Sequence, residues 1–105
     1  MALAIYSTRF LAFAASMEPP PYEVPTGHVA IIRDLDVWSG GGAMINWQLA
    51  INEVAKFAAG QFTVESIAQV ATWRGRQVAQ PGEFIFFQAD GPVDGLCSGY
   101  LLTLP

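Results

Sequence analysis

Charge is what this chain has least of. Of its 105 residues, 13% are Asp, Glu, Lys or Arg, about half the usual quarter of a soluble domain. So few ions do not coat a monomer's surface. Apolar side chains must face water or be covered, and coverage by another subunit is the expectation. Positive charge is scarcer still. Arg9, Arg33, Lys56, Arg74 and Arg76 stand against nine acidic residues, for a net charge of −4. Nucleic-acid binding needs a basic stripe that displaces counterions from phosphates, and only Arg74 and Arg76 lie close together, which argues against that class. A single cysteine, Cys97, excludes an internal disulfide and with it the logic of a stapled secreted scaffold. Beside Leu96, Gly99 and Leu101, Cys97 reads as an inert buried thiol rather than a nucleophile. No apolar run approaches the roughly 18 residues of a membrane span.

Catalytic patterns are missing too. His28 is the one histidine, and one imidazole cannot build a two- or three-histidine metal site. Pro81-Gly82-Glu83 echoes a turn of the metal-binding cupins, without their ligands. No Gly-x-Ser-x-Gly elbow occurs. Asp34 and Asp36 fall on one strand face about 7 Å apart, a spacing seen in glycosidase carboxylate pairs, but a solvated strand face explains them as well. Asp90 and Asp94 flank a turn without the Asp-x-Asp-x-Asp-Gly calcium loop. The chain is therefore expected to have no catalytic residue, metal or cofactor. Ala12 to Ser16 imitates a signal-peptide cleavage site. No positive charge precedes Arg9, however, and Ser7, Thr8 and Arg9 interrupt the apolar run, so no cleaved signal is expected.

What is present is strand chemistry. Thr72 to Gln88 places a Pro81-Gly82 turn between an arm bearing two arginines and the run Phe84-Ile85-Phe86-Phe87. Pro presets φ for the turn and Gly82 accepts the positive φ that follows. The phenylalanine run has no helical stripe and predicts a central strand covered on both faces. Ala43 to Asn52 alternates Ile45, Trp47, Leu49 and Ile51 with Met44, Asn46, Gln48 and Asn52, the period of a strand with one dry face.

Ala2 to Ser16, His28 to Trp38, Ser66 to Arg74 and Leu96 to Leu104 complete the strand candidates. Within them Val29, Ile31, Leu35 and Val37 are expected on one face, and a close backbone approach is expected at Gly99. Ser39-Gly40-Gly41-Gly42 is expected to close a hairpin between the second and third strands. Met17 to Tyr22 is a stiff proline-rich connection. Val54 to Phe62 is compatible with strand or short helix. The sum is an all-β chain: one domain over residues 1–105, an antiparallel, jelly-roll-like β-sandwich of seven to eight short strands.

The aromatic and arginine residues supply the candidate contacts. Trp73, Arg74 and Arg76, with Phe87, form a candidate subunit interface, because tryptophan and arginine concentrate at interface centres. A solvated arm accounts for the arginines equally well. Trp38 is a candidate exposed aromatic contact, able to stack on a sugar ring. Trp47 belongs to the dry stripe and the core.

In order and spacing, these motifs resemble a family of small virion structural proteins of tailed bacteriophages, especially phages of actinobacteria. The carriers are the opening Ala-Ile-Tyr-Ser-Thr-Arg-Phe-Leu-Ala, then Tyr22-x-Val24-Pro25-x-Gly27-x-Val29-Ala30-x-Ile32-Arg33-Asp34-x-Asp36-Val37. Trp73-Arg74-Gly75-Arg76-x-Val78, Pro81-Gly82-Glu83, Asp90-Gly91-Pro92-x-Asp94 and Ser98-Gly99-Tyr100-Leu101-Leu102 follow. The resemblance implies a non-enzymatic minor tail or tail-tip protein that assembles as a trimer, hexamer or larger ring with other virion proteins. The expected location is the virion, on the tail or capsid surface, after synthesis in the host cytoplasm without a signal peptide. Capsid decoration, or a lectin-like module recognising a cell-envelope glycan, are the alternatives.

Overall fold

The alternating and aromatic-rich segments fold as eight strands, with no helix, among the residues (5–104) that this computed structural model describes. They are β1 (Ile5–Ser16), β2 (Tyr22–Glu23), β3 (His28–Ser39), β4 (Ile45–Ile51), β5 (Ala55–Phe62), β6 (Gln69–Ala79), β7 (Phe84–Ala89) and β8 (Val93–Thr103). The expected start of the first strand at Ala2 lies outside the described residues. Two antiparallel sheets result, ordered β1-β8-β3-β6 and β2-β7-β4-β5. Every connection except β4 to β5 crosses between them, which is the double Greek-key order of an eight-stranded jelly roll. The segment compatible with strand or helix is a strand, β5.

The strands are not uniformly short. β1, β3, β6 and β8 run to 11 or 12 residues, whereas β2, β4, β5 and β7 have 2 to 8. One sheet is therefore long and the other short, and the molecule measures 53 × 22 × 19 Å. Ser39 to Gly42 does not make a hairpin. β3 pairs with β6 and β8, and β4 pairs with β5 and β7. Both β3 and β4 carry a dry face, and the two faces meet across the core instead of lying side by side. The glycines make the crossing: Gly41 and Gly42 have φ of 92° and 86°, and Gly42 N donates to the Glu65 carbonyl at 2.8 Å.

The long sheet also changes phase midway. Ala30 and Ile32 are buried, and then Leu35 and Val37 are, in place of an unbroken odd-numbered face. A register shift between Ile32 and Asp34 explains it, because the extra residue of a β-bulge turns every later side chain over. β1 repeats the device between Arg9 and Leu11, so that Phe10 and Leu11 are both buried. Gly99 sits at this irregularity, where a Cβ would strike the Ile31 carbonyl oxygen, the close approach anticipated there.

Ile45, Trp47, Leu49, Ile51, Ile85 and Phe87 face Leu11, Ile32, Leu35, Val37 and Cys97 across the core. Phe87 anchors it, 4.7 Å from the Phe13 ring and 6.3 Å from that of Trp47, between centroids. Large rings lie over glycines. Trp47 covers Gly60, Trp73 covers Gly75 and Phe13 covers Gly95, and a Cβ at any of the three would collide with the ring. β7 is central, as expected, but its coverage is one-sided: Ile85 and Phe87 are fully buried, while Phe84 and Phe86 remain partly exposed on the outer face.

Candidate functional site

The core accounts for two of the four residues expected at a subunit interface. Phe87 is fully buried. Trp73 points inward and packs edge-to-face on Phe57 at 5.2 Å. Inward positions on β6 are odd-numbered, so Arg74 and Arg76 point outward. Arg74 is engaged within its own chain. Its guanidinium donates to Asp36 at 2.8 Å and to the carbonyl oxygens of Leu35 and Trp73, and its Nε lies 3.3 Å from Asp34. The hydrogen bond to Asp36 chiefly holds Arg74 above its ordinary pKa, with both aspartates adding attraction. Asp34 and Asp36 are thus clamped by one cation. Arg9, Arg33 and Arg76 have no ion-pair partner among the described residues.

Around that clamp the outer face of the long sheet is apolar in two places. Trp38, 42% exposed, sits directly opposite Val70, 60% exposed. Ile31 sits between Val78 and Tyr100, both of which are exposed. The charges are divided as well. The long sheet holds Arg9, Arg33, Arg74 and Arg76, with Asp34, Asp36 and Asp94 as its acidic residues. Lys56 and all six remaining acidic side chains lie in the short sheet and the loops.

The outer face of the short sheet is built differently. Asn46 and Gln48 point outward from β4, and Gln88 is the register partner of Gln48 on β7. Gln48 Nε2 donates to Gln88 Oε1 at 2.9 Å, and Gln88 Nε2 donates to Glu18 Oε1 at 3.2 Å. Asn46 donates to Asp90 twice, from its backbone N at 2.7 Å and from Nδ2 at 2.9 Å, and accepts from Gln61 Nε2 at 2.9 Å. These bonds to Asn46, the side-chain one foremost, hold Asp90 below the usual carboxylate pKa. Between the ladder and the chain at Met17 and Glu18 runs an open groove of about 330 Å³. Sequence reasoning missed this site, since its residues read only as a wet strand face.

The other single candidates have ordinary surroundings. His28 Nδ1 lies 3.0 Å from the Thr26 carbonyl. Asp94 Oδ1 accepts from Ala15 N at 2.8 Å, so Asp90 and Asp94 serve separate turns. Burial, with the Asp34 charge adding to it, pushes the Cys97 thiol up to about 12. No group of three or more metal-ligating side chains occurs among the described residues, and no helix there is long and apolar enough to cross a membrane. No protein-family model and no curated protein matches the chain.

Proposed function

We propose that this chain is a non-enzymatic structural subunit of a tailed-bacteriophage virion, a tail or tail-tip protein that assembles as a symmetric homo-oligomer. A jelly roll by itself does not assign a function, though the architecture recurs in viral capsid and lectin domains. The observation that carries the reading is the outer face of the long sheet. It exposes Trp38, Val70, Val78 and Tyr100 beside three arginines without an ion-pair partner among the described residues, while six of the nine acidic side chains lie outside this sheet. A neighbouring copy covers the apolar patches and brings carboxylates to Arg9, Arg33 and Arg76, with tryptophan and arginine in the roles they favour at interface centres. The resemblance of the motif order to small phage virion proteins supports the same reading.

The test is native mass by light scattering across a concentration range. The wild type is expected as a trimer, hexamer or larger ring. Trp38→Asp is expected to lower the mass to that of the monomer with unchanged far-UV circular dichroism. A wild-type monomer at the highest concentration overturns self-assembly. Immunogold labelling of intact particles separates a tail position from capsid decoration.

A further inference from the structure

We infer that the groove on the outer face of the short sheet is a binding site for a neutral saccharide, at a place distinct from the proposed assembly face. Sugar hydroxyls are donors and acceptors at once, so a matching site must present both, held in fixed positions. Carboxamides and carboxylates do this. Gln48 and Gln88 are locked to each other and to Glu18, which leaves the Gln48 Oε1 acceptor and one N–H on each glutamine side chain for a ligand. Asp90 is fixed in the same way by its two bonds from Asn46. Their mutual hydrogen bonds order these side chains in advance, so binding need not order them.

The apolar half of the recognition is on the same strand. Phe84, Phe86 and Gln88 alternate onto the outer face of β7, and Phe86 precedes Gln88 by two residues, about 7 Å of strand rise. The Phe84 and Phe86 ring centroids are 6.1 Å apart and both residues are partly exposed. Phe86 adjoins the groove without lining it, and in the proposed complex a pyranose held by the glutamines turns its C–H face toward that ring. No lysine or arginine lines the groove, and Glu18 and Asp90 give it negative charge. Phosphorylated and acidic sugars are therefore repelled. An open groove of this size holds one or two sugar residues weakly, with Kd on the order of 1 mM.

Saturation-transfer difference NMR suits weak ligands and tolerates a large assembly. The probes are methyl glucoside, methyl galactoside, methyl mannoside and N-acetylglucosamine. At least one is expected to receive saturation from the protein's aromatic protons. Gln48→Leu and Gln88→Leu, both at partly exposed outer-face positions, are each expected to weaken that probe at least tenfold while leaving the circular dichroism unchanged. Phe86→Leu is expected to weaken the same probe severalfold, read from the concentration dependence of the transfer. Trp38→Asp, which dismantles the proposed oligomer, should leave saccharide transfer intact, so the two readings fail separately. Absence of transfer to all four probes overturns the proposal. So does transfer that survives both glutamine substitutions, or that vanishes with Trp38→Asp alone.

Discussion

The two sheets spend the same scarce polarity in opposite ways. The long sheet concentrates its ions, with one arginine gripping two aspartates between apolar patches. The short sheet presents neutral amides braced by carboxylates at its border. The first arrangement leaves two exposed apolar patches, Trp38 with Val70 and Val78 with Tyr100, which favour contact with another protein surface. The second leaves a narrow row of spare donors and acceptors, which favours a small polar ligand. A chain with few charges can thus carry two unlike surfaces by sorting side chains between faces.

The contrast can be broken first at its backbone. Gly99→Val places a Cβ against the Ile31 carbonyl where the long sheet shifts register. A clash with backbone cannot be relieved by a rotamer change, so a loss of about 3–5 kcal/mol is expected in the urea midpoint analysis. A smaller effect is expected inside the short sheet. Trp47 is 6% exposed, and its Nε1 has no hydrogen-bond partner among the described residues. Trp47→Phe removes a buried, unpaired donor along with some packing volume. The two oppose one another, leaving the stability within about 1 kcal/mol of wild type. A much larger loss would show that the indole packing over Gly60 outweighs the unpaired donor.

The smallest effects sharpen the comparison between the surfaces. Arg74→Met should lower the urea midpoint slightly at low salt, and the difference should close near ~1 M salt, where exposed charges are screened. The Asp90 site should respond to pH instead. Its folded pKa lies below the unfolded one, so the contribution to stability is complete above the ordinary aspartate value of about 3.9. It is lost as pH falls through the depressed folded value. Asp90→Asn should therefore flatten the acid limb of stability against pH, lowering stability slightly at neutral pH and changing it least at the acid end, where the wild-type carboxylate is already protonated. Urea titrations at several pH values check both the sign and the window.

Turn chemistry and alternation made most of the fold legible. Ala43 to Asn52 announced β4 and its dry face. Pro81-Gly82 announced a turn whose Gly82 has φ of 83°. The phase change in β3 was hidden because a bulge at Arg33 demands no particular residue, and Val29 and Ile31 are as apolar as Ala30 and Ile32. The sheet crossing after β3 was hidden because a glycine run serves a hairpin and a crossover equally well. Trp38 could be placed on an outer face by its spacing from Asp34 and Asp36, whereas Trp73 and Phe87 had no local mark of facing inward. The amide ladder was illegible for another reason. Gln48 and Gln88 are 40 positions apart, and only the β4–β7 register brings them together.

The three rings lying over Gly60, Gly75 and Gly95 have a consequence for spectroscopy. Aromatic electrons circulating in a magnetic field displace the resonances of protons close to the ring. The α-protons of those glycines should therefore fall outside the range of free chain. Trp47 reports on the β4–β5 pair, Trp73 on β6 and Phe13 on the β1–β8 pair. An unlabelled proton spectrum thus holds three internal signals of assembly, one for each of these regions of the sandwich.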